Sequence, residues 1–417
     1  MSGREVDVET AEGMIGVQEA IHRDPELGLQ TPRTQGVVLR ALAGLPLEVS
    51  TGRGSTSVTA VLRGGTGPGD GPRRSVLLRA DMDAVPVTEA TDLACASRRS
   101  GAMHACGHDL HTAMLLGAAH LLCRRREELE GDVVLMFQPG EEGWEGAQVM
   151  LDEGVLDASG TRVRAALALH VFSAGHPGGQ FFSRPGPMMA SSAALDVVVS
   201  GRGGHASTPH LTRDPIAACA EMISSLYVMA AREIDVLDPL VLTVGVVQAG
   251  TARNVIPAQA RFEATLRTFS PQTTDAAGRA IRRRLGGLAA AHGVEVDVDL
   301  RPLRPVTVND PYEHALVEAV IARELGADRH ARLERPMAAT EDFSRVLEQV
   351  PGAFVGLGAV PPGADPATAA SNHSPHAVFD TSVMPDGAHL MAAWARDRLR
   401  WAHENVPEQA PEQEDHR

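Results

Sequence analysis

Three short apolar runs, each stopping abruptly at an acidic residue or a histidine, set the tightest limit on how this chain can fold. Ser75–Ala80 runs into Asp81 and Asp83, Val133–Phe137 into Gln138, Glu141 and Glu142, and Ala165–Leu169 into His170. Apolar runs of this length, bounded by glycine or proline, read as strands of a parallel sheet buried on both faces. In an open α/β sheet the ligand crevice lies just outside the carboxyl ends of the strands, so these polar groups are expected to converge on one cleft.

The segment Met103–His111 gives that cleft a chemistry. It packs Cys106, His104, His108, His111 and Asp109 into nine residues beside small alanines and a glycine. Cys106 and His108 are donors that suit zinc, manganese, cobalt or nickel, and Gly107 between them lets the backbone turn tightly enough for both to face one point. Acids and a histidine at neighbouring strand ends, beside such a segment, point to a metal site.

The composition narrows the class. A chain of 417 residues is long enough for two domains, and 43% hydrophobic with 22% charged residues is ordinary for a globular protein. A formal net charge of −15 argues against nucleic acid or an anionic membrane as partner, since both require a basic face. Every one of the 38 basic residues is arginine. Without lysine there is neither a Schiff-base lysine for pyridoxal phosphate nor a P-loop lysine, so both classes fall away. The four cysteines, Cys95, Cys106, Cys123 and Cys219, form no spaced framework, the first ten residues carry no apolar signal core, and no run is long enough to span a bilayer. A cytoplasmic location is expected.

Along the chain, residues 12–45 read as helical with a break at Asp24–Pro25, residues 57–62 as a strand, 64–71 as a Gly-rich loop, and 110–122 as a helix packed on the sheet. From 188 the pattern changes to strand 194–200, helix 214–232, strands 240–248 and 260–268, helix 271–292 and strand 294–300. That order, βαββαβ, is the ferredoxin-like sandwich. The expected organisation is therefore an α/β catalytic domain with a mostly parallel central sheet (1–187 plus 304–405), an inserted ferredoxin-like domain (188–303) and a disordered acidic tail (406–417).

With these motifs in place the chain resembles the zinc carboxypeptidase and aminoacylase family of metallopeptidases, in the amidohydrolase branch with hippurate hydrolases, N-acyl-amino-acid hydrolases and auxin-conjugate hydrolases. The resemblance runs through nearly the whole length and rests on the order of eight segments: His22–Gly28, Arg79–Ala84, His104–Asp109, Phe137–Glu142, Gly203–His205, Asn254–Pro257, Glu341–Phe343 and Asn372–Pro375. It implies that Cys106, His108, Glu142, His170 and His373 hold two divalent metal ions and that Glu141 is the catalytic acid and base. It further implies that His205, on the inserted lid, stabilises the oxyanion, and that the lid builds a homodimer. Asp83 is read as orienting a metal-bound histidine, and Asn254 and Arg267 as candidates for the substrate carboxylate. The pattern is departed from at Thr381, where an acidic residue commonly follows Asp380.

The chemistry follows from the residues as well. Two divalent ions roughly 3.5 to 4 Å apart lower the pKa of a shared water and polarise a carbonyl. Adjacent Glu141 and Glu142 cannot do one job from one direction, so one binds metal while the other faces the water. The expected activity is metal-dependent hydrolysis of the amide of a small N-acyl amino acid. A dipeptidase or carboxypeptidase on the same site is an alternative. A Cys106–His108 nucleophile pair and a non-catalytic relative are weaker ones, the first separable by a chelator.

Overall fold

Four strands rich in β-branched and aliphatic residues, Ser75–Asp81, Asp132–Gln138, Ala166–Phe172 and Gly352–Gly358, are buried along their whole lengths apart from half-buried Phe172. The computed structural model, which describes residues 7–65 and 73–400, places them side by side and parallel at the centre of an eight-stranded sheet. Burial on both faces is what removes the in-out alternation from their sequences. Outside the four, Val58–Leu62 pairs antiparallel to Asp132–Gln138, Leu47–Thr51 antiparallel to Val58–Leu62, and Phe181–Ser183 antiparallel to Gly352–Gly358. The fold is α/β, as expected, with the four parallel strands in the middle of the sheet.

Because the central strands run the same way, their carboxyl ends share one edge, where Asp81 is the register partner of Gln138 and His170 lies two residues from its strand's end. Helix His108–Arg124 covers the sheet and packs against Val8–Arg23 and Met384–Arg400. The expected break at Asp24–Pro25 separates Val8–Arg23 from Pro32–Leu42. Only Gly64 and Gly65 of the expected 64–71 loop fall within the described residues, and the 406–417 tail lies outside them.

The chain divides into two compact units, the first running through Phe182 and resuming over Ala315–Ala331 and from Val350, the second comprising Ser183–His314 and Arg332–Gln349. Relative to a 188–303 insert, the second unit also takes in 183–187, 304–314 and 332–349. Backbone pairing holds these pieces there: Gly186–Met189 lies antiparallel to Thr307–Asn309, and Met337 N–H donates to the Met188 carbonyl at 2.9 Å. The body of the second unit is an antiparallel sheet in the order Val241–Ala249, Gln259–Arg267, Ser192–Ser200, Glu295–Arg304. Helices Pro215–Arg232 and Pro271–His292 bury their apolar stripes against it around Leu195, Met222, Phe262 and Ile281. This is the βαββαβ order. A two-residue ribbon, Gly204–His205 paired with Val255–Ile256, is added to it. No helix among the described residues is long and apolar enough to cross a membrane.

Candidate metal centre

Cys106 sits where two groups of donors meet. The ligand atoms of Cys106, His108 and His170 lie within 4.8 Å of one another, and so do those of Cys106, Glu142 and His373. Cys106 Sγ is 3.5 Å from His170 Nε2 and 3.2 Å from His373 Nε2, and His373 Nε2 is 2.9 Å from Glu142 Oε1. Gly107 makes the turn between Cys106 and His108 at φ 84°, and a Cβ there would lie 2.3 Å from Val171 Cγ2. Only glycine meets both conditions. His170 projects from its strand, while the loop carrying His373 is held by its own N–H, which donates to the Ala105 carbonyl at 2.8 Å.

The donor set fits divalent metal. His108 Nδ1 lies 2.8 Å from the Asp83 carbonyl oxygen, and His170 Nδ1 lies 2.9 Å from the Val171 carbonyl oxygen. A carbonyl can only accept, so each Nδ1 carries a proton and Nε2 is the ring atom left to serve as the ligand on the Cys106 side. His108 Nε2 is buried without a hydrogen-bond partner. A carbonyl behind each histidine is the support that metal-bound imidazoles use. Burial disfavours charge on His108, yet Asp81 and Cys106 hold its pKa well above the usual imidazole range. Contacts with Cys106 and Glu142 hold His373 up at about 10. An entering cation displaces these protons.

Behind the donors lies a buried polar layer. The Asp83 carboxylate accepts from Glu141 N–H at 2.9 Å and Glu142 N–H at 3.0 Å. Asp83 therefore fixes His108 by its carbonyl and the paired glutamates by its side chain. Glu141 is 4% exposed, and its carboxylate shares a neighbourhood with His108 and Glu142. Fully buried Arg79 reaches Gln138 at 2.9 Å and Asp81 at 2.8 Å; Asp81 is 2.5 Å from His111 Nδ1, and His111 Nε2 accepts from Val171 N–H at 2.8 Å. Both nitrogens of His111 are thus committed, Nδ1 to Asp81 and Nε2 to the strand that carries His170. Burial opposes ionisation of Asp81, but Arg79, His108 and His111 hold it well below the usual carboxylate range. Asn372 donates to the Val171 carbonyl at 3.0 Å and accepts from Ser173 N–H at 3.0 Å, tying the His373 loop to the same strand end. His376 Nδ1 instead lies 2.9 Å from the Ala90 carbonyl oxygen.

His22 and Asp109 form a second buried pair at 2.8 Å, with Gln18 donating to the same carboxylate oxygen at 2.6 Å. Burial lowers the affinity of His22 for a proton, but Asp109 and Glu89 raise its pKa to about 10. Burial pushes His104, between them and the donors, down to about 3.

In the second unit, His205 is exposed, and its Nδ1 accepts from Ser207 N–H at 3.1 Å. With Nδ1 accepting, the ring hydrogen is on Nε2. Asn254 is exposed beside it, its carbonyl accepting from Ala206 N–H at 3.1 Å. Arg267 is not brought to them. It ends the Gln259–Arg267 strand, while His205 follows the strand residue paired with Gln259, and Arg267 Nη1 donates to the Ala338 carbonyl at 2.9 Å.

The sequence profile of Peptidase family M20/M25/M40 matches residues 77–397, well over half of the chain. This chain belongs to that family. The M20 chain is 36% identical over 354 residues to thermostable carboxypeptidase 2 of Saccharolobus solfataricus, across 84% of this chain and 86% of that protein. It is 38% identical over 386 residues to IAA-amino acid hydrolase ILR1-like 4 of Arabidopsis thaliana, across 92% of this chain and 84% of that one. A crystal structure described as a dinuclear metal-binding peptidase of the M20 family, from Bacillus subtilis, superimposes with a TM-score of 0.81 at 31% identity, covering 95% of this chain and 100% of that chain. The M20 chain is a metal-dependent hydrolase of linear amide bonds.

The sequence by itself assigned no role to Arg79, His22 or Asn372, and gave Asp81 a place at the cleft but no partner. Their signal was present as polar residues inside apolar runs, such as Arg79 between Leu78 and Ala80. A buried charge must be paired, but its partner is not readable without the fold.

Proposed function

We propose that this chain hydrolyses the amide bond of an N-acyl amino acid, releasing a carboxylic acid and an amino acid, with two divalent ions (zinc, or manganese, cobalt or nickel) held by Cys106, His108, Glu142, His170 and His373. The observation that carries the reading is the pair of donor groups sharing Cys106, with the carboxylate of Glu141 beside them. When bound, the ions lower the pKa of water and polarise the substrate carbonyl. Glu141 accepts the proton of the attacking water as oxygen bonds to the carbonyl carbon. It then delivers that proton to the amide nitrogen as the C–N bond breaks. Asp83 keeps Glu141 and Glu142 in their separate orientations throughout.

To the second unit this reading gives recognition: His205 offers its Nε2–H to the developing oxyanion, and Asn254 and Arg267 bind the amino-acid carboxylate. Arg267 ends a nine-residue strand whose other end, Gln259, pairs with Ser200, five residues before His205, and that strand spans on the order of 25 Å at about 3.3 Å per residue. One small substrate does not span that distance, so the reading calls for a homodimer in which a second copy supplies one of them. Exposed Tyr227, Val236, Leu237 and Val241 give the second unit an apolar surface for it. Four cysteines outside any disulfide favour a reducing, cytoplasmic setting, and nothing in the charge favours nucleic acid or membrane.

A carboxypeptidase or dipeptidase reading is favoured by the similarity to thermostable carboxypeptidase 2. The test is release of amino acid from N-acetyl and N-benzoyl amino acids and from dipeptides, by wild type and Glu141→Ala, apo and after adding each metal. Metal-dependent turnover of N-acyl substrates, lost in the variant, is expected. Metal-independent turnover or an active variant refutes the mechanism, and turnover of dipeptides alone replaces the substrate.

A further inference from the structure

We infer that Trp144 is a specificity-determining residue that stacks on a flat, uncharged acyl group; this rests on the N-acyl amino acid reading above. Trp144 follows the glutamate pair by two residues, and two residues of chain span at most about 7 Å. It is 58% exposed, whereas Trp394 is fully buried. An indole left in water beside a hydrolytic centre is unusual, because such a ring is normally withdrawn into a core or an interface.

The ring is nonetheless held in place. It lies flat against Gly28, where a Cβ would come 2.9 Å from Cε2 and 3.1 Å from Cδ2. Gly28 belongs to a segment anchored at the site: Ala84 N–H, one residue after Asp83, donates to the Glu26 carbonyl at 2.8 Å, and Leu27 bridges to Ala84. Leu27, next to Gly28 in the chain, is itself 41% exposed, a second uncovered apolar side chain on the segment that the indole packs against. On the other side Glu145 has φ 54°, a left-handed conformation unfavourable for a residue with a side chain. Strain of this kind persists where the surroundings fix it. One face of the indole is spent on Gly28, and the other remains available.

Charge decides which half of the substrate this surface takes. The 141–145 segment carries Glu141, Glu142 and Glu145 and no cation. With Glu141 and Glu142 engaged at the ions, an amino-acid carboxylate laid on the indole has Glu145 as its neighbour and no cation in the segment to pair with, whereas an uncharged aryl-acyl group meets a π-face.

The experiment compares metal-loaded wild type, Trp144→Ala and Trp144→Phe on two series: one amino acid with acetyl, benzoyl and naphthoyl groups, and one acetyl group on small and aromatic amino acids. Trp144→Ala is expected to lower kcat/KM for the aryl-acyl members about tenfold, the size of a stacked aromatic contact with its buried area, and to change the acetyl members less than threefold. Trp144→Phe is expected to recover most of the loss. An equal loss for all acyl groups, or a loss that follows the amino acid, overturns the inference. If wild type cleaves no N-acyl amino acid, it is the function that fails. Trp144 is then judged by calorimetric binding of the naphthoyl compound, where wild type binding no more tightly than Trp144→Ala overturns the inference and weaker binding by the variant upholds it. The exposed position keeps folding out of the comparison, and matching thermal melts check this.

Discussion

Replacing His22 with alanine tests whether the buried pair behind the donors holds the helix that starts at His108. His22 is 2% and Asp109 0% exposed, 2.8 Å apart. Removing the imidazole leaves a buried carboxylate with Gln18 as its remaining described donor. Breaking one partner of a buried ion pair costs about 3–5 kcal/mol, a large share of a typical total of about 5–15. The sign of the pH dependence follows from the two shifts. The pKa of His22 is raised from 6.5 to about 10, so its contribution is complete below 6.5 and lost as pH rises through about 10. Asp109 is lowered from 3.8 to about 2 by His22 against the opposing effect of burial, so its contribution is present above 3.8 and lost as pH falls through about 2. The gap between wild type and His22→Ala should therefore be widest from about pH 4 to 6.5 and close toward pH 10. Urea denaturation followed by circular dichroism at fixed free metal measures it, the fixed metal being needed because binding adds to apparent stability. A gap below about 1 kcal/mol at pH 6, or one unchanged between pH 6 and pH 10, refutes the reasoning.

Four further outcomes are expected. Glu141→Gln should lose about 10²–10⁴-fold in kcat, the range of a general base, while calorimetry still finds two ions per chain. Cys106→Ser should lower bound metal measured by plasma emission at both sites together, because the sulfur belongs to both donor groups; loss of only one ion contradicts a shared ligand. Asp83→Asn should cost about 10–100-fold in metal affinity, since it loosens the carboxylate that receives Glu141 and Glu142 N–H groups. Gly107→Ala should destabilise by at least about 1–2 kcal/mol from its left-handed φ of 84° alone, with more from the Val171 clash, read by thermal melting with metal removed.

The amino-acid sequence by itself determined the strands, the approximate helices and most of the donor types. Apolar runs too short for helices and buried on both faces had to form the middle of a parallel sheet, and the βαββαβ periodicity after 188 needed only local pattern to be read. Cys106, Gly107 and His108 were legible because metal chemistry and a tight turn act over three residues. What the tertiary structure alone decided is which distant groups meet. His22 reaches Asp109, Arg79 reaches Gln138 and Asp81 reaches His111, across 87, 59 and 30 residues of chain. The second unit's extra pieces at 183–187, 304–314 and 332–349 joined it through backbone pairing that carries no side-chain signature. Local pattern reports propensity and burial, which depend on a residue and its near neighbours. Pairing of buried charges depends on the packing of separate elements, and that exists only once the chain has folded.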